Sequence, residues 1–163
     1  YHLPSLPFGM NEVLPVTVGT HRGAADALVD RTRARQGTIS GAHASDKVAA
    51  QIRLARGLSR AQAAEVLLES FVARNMAARP DAGEVINRSE MKMTAALMTE
   101  FCLDSVNDMA RGVGGDAFRA EAAFQRYFRD LNVVARHAFL DLETAGETYG
   151  KLTLDLPIND PLI

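Results

Sequence analysis

A chain of 163 residues with 47% apolar content is long enough to bury one core without staples, and too apolar to stay disordered. Its formal net charge of -2, with arginines interleaved among carboxylates, argues against a nucleic-acid surface. No apolar run approaches the roughly 20 residues that span a bilayer, and the first residues lack the basic-then-apolar order of a signal peptide.

A single domain over residues 1–163 is the expectation. The absence of tryptophan and the three tyrosines favour aliphatic and alanine-rich helix contacts over an aromatic-rich sheet. The lone Cys102 forbids an internal disulfide and reads as a buried small hydrophobe in a reducing, cytoplasmic setting.

Residues 1–15 carry prolines at 4, 7 and 15, which deny a helix its early hydrogen bonds, so an extended lead-in is expected there. Helix one is predicted from about Pro15 to Arg35 on the spacing of Val18, Ala25, Leu28 and Thr32. Arg31, Arg33 and Arg35 gather at its negative end. His21 inside it reads as a polar-face or interface histidine. The stretch GTISGAHAS is a loop, either plain or touching a ligand through His43.

A second helix is predicted from Ser45 or Asp46 to Met76, with a weak point at Gly57 that would bend or divide it. The stretch from Arg79 to Gly83 is the cleanest break. Asn87 with Glu90 resembles a capping box and opens a third helix from about Arg88 to Arg111, whose apolar stripe is wide enough to touch more than one neighbour. A fourth helix is expected from Phe118 to Thr144, closed by Gly146 and Gly150. The last residues, from Lys151, alternate apolar and polar side chains and read as an extended tail packed on the domain or on a partner. Together these make an all-α chain, an antiparallel up-down four-helix bundle with an extended N-terminal lead-in and a C-terminal tail.

Chemistry is concentrated late in the chain. The histidines at 2, 21, 43 and 137 have no metal-ligand spacing, there is no Glu-x-x-His pair for a dinuclear site, and no phosphate-loop or dinucleotide fingerprint occurs. What remains is a glycine turn, Gly112-Val113-Gly114-Gly115, followed by QRYFRD and His137. The turn is either a plain helix stop or a place where a ligand backbone or phosphate comes close. Arg126 and Arg129 either bind an anionic group or pair with a neighbour such as Asp130. His137, placed by helical spacing on the face of Arg126, Asp130 and Val133, is either a satisfied structural histidine or a group that moves a proton from a phenol.

Gly114-Gly115, QRYFRD and His137 together resemble the C-terminal four-helix domain of the acyl-CoA dehydrogenase fold. The likeness is to its flavin-dependent monooxygenase branch, which includes oxygenase components of two-component aromatic hydroxylases and the dibenzothiophene monooxygenases. The resemblance implies a function for the whole protein: hydroxylation of an aromatic or polycyclic small molecule through a flavin C4a-hydroperoxide, with reduced FMN or FAD supplied by a separate flavin reductase. It further implies that Gly114 and Gly115 approach the flavin, that Arg126 and Arg129 support that region or the oligomer, and that His137 acts beside the substrate hydroxyl.

Family members are usually tetramers in which an N-terminal helical domain and a middle β-domain complete the pocket, so this chain alone would hold half a site. Dehydrogenases of the fold often carry a glutamate base late in this domain, and Glu147 lacks that setting. A dehydrogenase-like flavoprotein domain and a non-catalytic helical oligomerisation module stand as the alternatives.

Overall fold

The computed structural model describes residues 5–37, 41–77 and 84–163. Five helices account for most of them: α1 (Ser5–Ala34), α2 (Val48–Met76), α3 (Val85–Val113), α4 (Ala123–Val134) and α5 (Leu142–Thr153). Single 3-10 turns stand at Ala44–Asp46, Gly115–Phe118 and Ala138–Leu140. Among the described residues there is no strand, only one isolated bridge between Gln36 and His43. The all-α bundle is therefore what the sequence predicts. His2 and the stretch from Arg79 to Gly83 lie outside the described residues.

Ion pairs fix the directions of the helices. Arg22 of α1 meets Glu65 of α2, Arg60 of α2 meets Asp108 of α3, and Arg74 near the end of α2 meets Glu90 near the start of α3 in a fork of two 2.7 Å hydrogen bonds. Thus α2 runs against both α1 and α3. The chain then turns back, since Asp116 beyond α3 pairs with Arg31 while Tyr127 of α4 lies against Gly23, about two turns earlier in α1. The order is up, down, up, down.

The fourth column is where the structure departs most from the sequence pattern. In place of one helix from Phe118 to Thr144 it holds two, with α4 against α1 and α3 and α5 against α3. The break falls at residues 135–141, so His137 does not continue the helical face of Arg126, Asp130 and Val133. Two side-chain caps stabilise it: the Phe139 amide donates to His137 Nδ1 at 3.3 Å, and the Thr144 amide donates to Asp141 Oδ1 at 2.8 Å. Gly146 and Gly150, expected to close a helix, are interior to α5. That helix ends at Thr153, with Asp155 in the left-handed region (φ 54°) and the Leu156 amide reaching back to the Lys151 carbonyl at 2.9 Å.

The start of the chain departs too. The extended lead-in is helix from Ser5 onward. Pro7 falls in the first turn, where amides have no intrahelical partner. Pro15 removes the bond to the Asn11 carbonyl, yet the helix runs through it because Met10, Leu14 and Val18 on its inner face are buried. Nor does Gly57 break α2. A Cβ there would stand 3.1 Å from Met109 Cε, so the glycine lets α2 lie close on α3.

The core is a file of α1 residues (Met10, Leu14, Val18, Ala25, Leu28) packed on α3, which buries side chains on several faces at once. Cys102 is fully buried there, and burial pushes its thiol up to about 12. His21, expected on a polar face, is also fully buried, and neither ring nitrogen has a hydrogen-bond partner among the described residues. Burial, reinforced by the Arg60 and Arg22 charges, lowers its pKa to about 4.

Two tests follow. Because the folded pKa of His21 is depressed, its contribution is complete above the unfolded value of 6.5 and is lost as pH falls toward 4. Denaturant unfolding should show about 2 kcal/mol of His21-dependent stability missing at pH 5 relative to pH 7, and a His21→Leu variant should flatten that part of the profile. Separately, a Cβ on Gly23 would lie 2.7 Å from the Tyr127 ring. Gly23→Ala should lower the unfolding free energy by about 1–3 kcal/mol, read as a shift in urea midpoint, despite the better helix propensity of alanine.

Candidate functional site

The carbonyls of the last turn of α3 have no partners within the helix, and they sit at the negative end of its dipole. Cations should collect there. Arg31 donates from Nε and Nη2 to the Val113 carbonyl, both at 3.3 Å, and its Nη2 pairs with Asp116 at 2.7 Å. Arg35, one turn further on and just past the end of α1, donates to the Gly112 carbonyl at 3.4 Å.

Glycine is required for this arrangement. Gly114 takes φ 83°, and a Cβ on it would stand 2.6 Å from the Arg35 guanidinium carbon. Gly112 likewise lies under Arg53 of α2, whose Nε is buried without a hydrogen-bond partner among the described residues. Three guanidinium groups from two helices therefore surround the glycine turn. Beside it opens a cavity of about 280 Å³ lined by Arg31, Ala34, Arg35, Gln36 and Asp116. The hydrogen bond from Arg31 holds the Asp116 carboxyl below its ordinary range, despite some desolvation, and the charges of Arg31 and Arg35 act the same way.

This cluster was only partly visible in the sequence. Gly114 lies at the turn that ends α3, and Gly115 is exposed with open space around it. Arg31 and Arg35 read there only as dipole partners at a helix end, although their i, i+4 spacing already puts both on one face. Arg53 gave no signal, because nothing in its own helix points to the end of α3.

The other candidates stand apart from the turn. Arg126 is exposed on α4 with its guanidinium 5.1 Å from the Tyr127 ring centre and 3.5 Å from the Tyr127 hydroxyl. Arg129, also exposed, pairs with its neighbour Asp130 at 2.9 Å. His137 lies in the break between α4 and α5, exposed, with its ring 5.0 Å from that of Phe139. Since its Nδ1 accepts from a backbone amide, the neutral ring carries its proton on Nε2. It can therefore donate a hydrogen bond to an oxygen, and can take up a proton at Nδ1 once the Phe139 contact opens.

Among the described residues, no group of three or more His, Cys, Asp or Glu could hold a metal, and no helix is long and apolar enough to cross a membrane. The glycine turn offers positive charge to an anionic group, and His137, beyond the far end of α4, is a separate donor.

Known proteins share this framework. The chain is 56% identical over all 163 residues to the pigment production hydroxylase of a Rhodococcus species, of which it spans 42%. It is 21% identical over 154 residues, 93% of the chain, to the oxygenase component of p-hydroxyphenylacetate 3-hydroxylase from Acinetobacter baumannii, of which it spans 36%. Among solved structures, XiaF from a Streptomyces species, in complex with FADH2 and glycerol, superposes with a TM-score of 0.81 at 20% identity, over 98% of this chain and 41% of that one. The model of the acyl-CoA dehydrogenase C-terminal domain matches residues 13–142, which takes in most of α1, all of α2 to α4 and the His137 break. The chain thus belongs to the acyl-CoA dehydrogenase family as its C-terminal helical domain, and within that family it resembles the hydroxylase components of flavin-dependent aromatic monooxygenases.

Proposed function

We propose that the chain is the C-terminal domain of a reduced-flavin-dependent monooxygenase that hydroxylates an aromatic small molecule. The observation that carries this is the 56% identity, over its whole length, to a hydroxylase. The bound FADH2 of XiaF supports the choice of cofactor, and the likeness to the Acinetobacter oxygenase component supports a separate reductase.

The residues at the glycine turn fit a flavin nucleotide. Arg31, Arg35 and Arg53 offer positive charge to its phosphate, and Gly114 and Gly115 let that group approach backbone. Reduced FMN or FAD, when bound, supplies the electrons that activate dioxygen. His137 serves the substrate: its Nε2–H donates to a ring hydroxyl and orients it, while Nδ1 stays committed to the Phe139 amide.

Arg126 and Arg129, both facing solvent on α4, serve in this reading as contacts to the rest of the assembly. So does the apolar outer face of α2 and α3, where Val66, Leu67 and Leu97 are exposed beside a groove of about 370 Å³. A homo-oligomer is the arrangement this favours.

Dehydrogenation is the weaker reading. It needs a carboxylate free to take an α-proton, whereas Glu147 is exposed and paired with Lys151 one turn along α5.

Two substitutions in the full-length protein, assayed with reduced flavin, oxygen and phenolic substrates, separate the roles. His137→Asn should lower hydroxylated product per flavin oxidised by about 100-fold, with hydrogen peroxide released in its place and flavin affinity changed less than about threefold. Arg35→Gln should raise the flavin Kd by about tenfold or more and leave the product ratio at saturating flavin unchanged. Full product yield from His137→Asn would remove the histidine from the mechanism.

A further inference from the structure

Lys92 is a lysine with a fully buried side chain, set among Met91, Ala95 and Ala96 on α3. Its Nζ lies 2.7 Å from Asp160 Oδ2, and the Asp160 side chain is itself only 3% exposed. The same carboxylate accepts from the Thr148 hydroxyl of α5 at 3.0 Å and from the Leu162 amide at 2.9 Å. Donors from α3, α5 and the C-terminal segment therefore converge on one side chain.

The apolar seat of α5 is thin by comparison. Only Ala145 and Thr148 of its twelve residues are buried, and a Cβ on Gly146 would stand 3.8 Å from Met93 Sδ. What holds α5 on α3 is to a large extent this polar contact. The helix so held begins at Asp141, directly after the turn that His137 caps. Lys92 also lies close enough for its charge to act on Asp141, whose carboxyl is kept below the ordinary range first by its hydrogen bonds with Thr144 and further by Lys92 and Arg136.

We infer that Lys92, Asp160 and Thr148 form a latch by which the C-terminal segment holds α5 on α3 and so fixes the position of the His137 turn. Lys92, Asp160 and Thr148 are positioning residues, and the inference rests on the role given above to His137. Removing the carboxylate leaves a buried ammonium without its counter-ion. That frees α5 and the turn before it.

Hydrogen exchange of the full-length protein, followed by mass spectrometry, reads the latch directly. Asp160→Asn should speed exchange in peptides covering residues 135–153 by at least tenfold, with peptides from α1, α2 and α3 within twofold of wild type. Thr148→Val, which keeps the ion pair and is close in shape, should give a smaller rise in the same peptides, and it preserves the test if Asp160→Asn does not fold. A uniform rise, or no rise in the folded variants, overturns the latch.

The positioning role is read in the same variants as a split. Hydroxylated product per flavin oxidised should fall in the order of the exchange effect, with flavin Kd within twofold. Local loosening without loss of product, in a protein where His137→Asn does lose product, overturns the link to His137. Should His137→Asn itself keep full product yield, the catalytic reading fails, and the exchange data still decide whether the latch exists.

Discussion

The constraint on which the rest of the structure depends is that α3 is enclosed. Four other helices pack on it, so side chains on several of its faces are buried, and a polar group buried with them is costly unless it finds a partner inside the protein; the hydroxyls of Ser89 and Ser105 find none among the described residues. The hydroxyl of Thr99 turns back to the Ala95 carbonyl at 2.9 Å. At the C-terminal end, arginines from the neighbouring α1 accept the task of satisfying the last carbonyls. At the other end a lysine must be met by a carboxylate 68 positions away. The arginine cluster and the C-terminal clasp are two answers to one requirement, set toward opposite ends of a single helix.

The placement of the arginines also separates charge from chemistry. The glycine turn is strongly basic without being a helix N-terminus: the four-residue 3-10 turn that follows Gly114 is too short to act as one, and its Ala117 amide is already bonded to the Gly114 carbonyl at 3.1 Å. Affinity for an anion there comes from guanidinium groups held in place by backbone carbonyls. His137, by contrast, sits at a break in the opposite column, with one ring nitrogen committed to a backbone amide. The arginines at the turn and the histidine at the break thus belong to different elements, and each is held by its own local hydrogen bonds.

Much of the fold was legible in the sequence because helical periodicity records burial. The three long helices appear at the expected places, and the glycine turn ends α3 as its composition suggests. Proline counted for too much at residues 7 and 15, since Met10, Leu14 and Val18 supply packing that outweighs one missing hydrogen bond. Gly57 misled for the opposite reason: it marks a close approach of two helices, not a weak point in one. The break at residues 135–141 had a signal, Asp141 three residues before Thr144, but apolar spacing continues across it and hides the cap. The partners of the site could not be read in the same way. Arg53 over Gly112 and Asp160 on Lys92 are contacts between distant segments, and no local pattern encodes them.

Cys102 gives the enclosure of α3 a chemical consequence. With its thiol raised to about 12, the nucleophilic thiolate amounts at neutral pH to roughly one molecule in a hundred thousand, and no reagent reaches the sulfur while α3 is covered. The one thiol of these 163 residues is therefore silent toward oxidants and alkylating agents until the helices part. Its rate of labelling is a clock for the opening of the whole bundle.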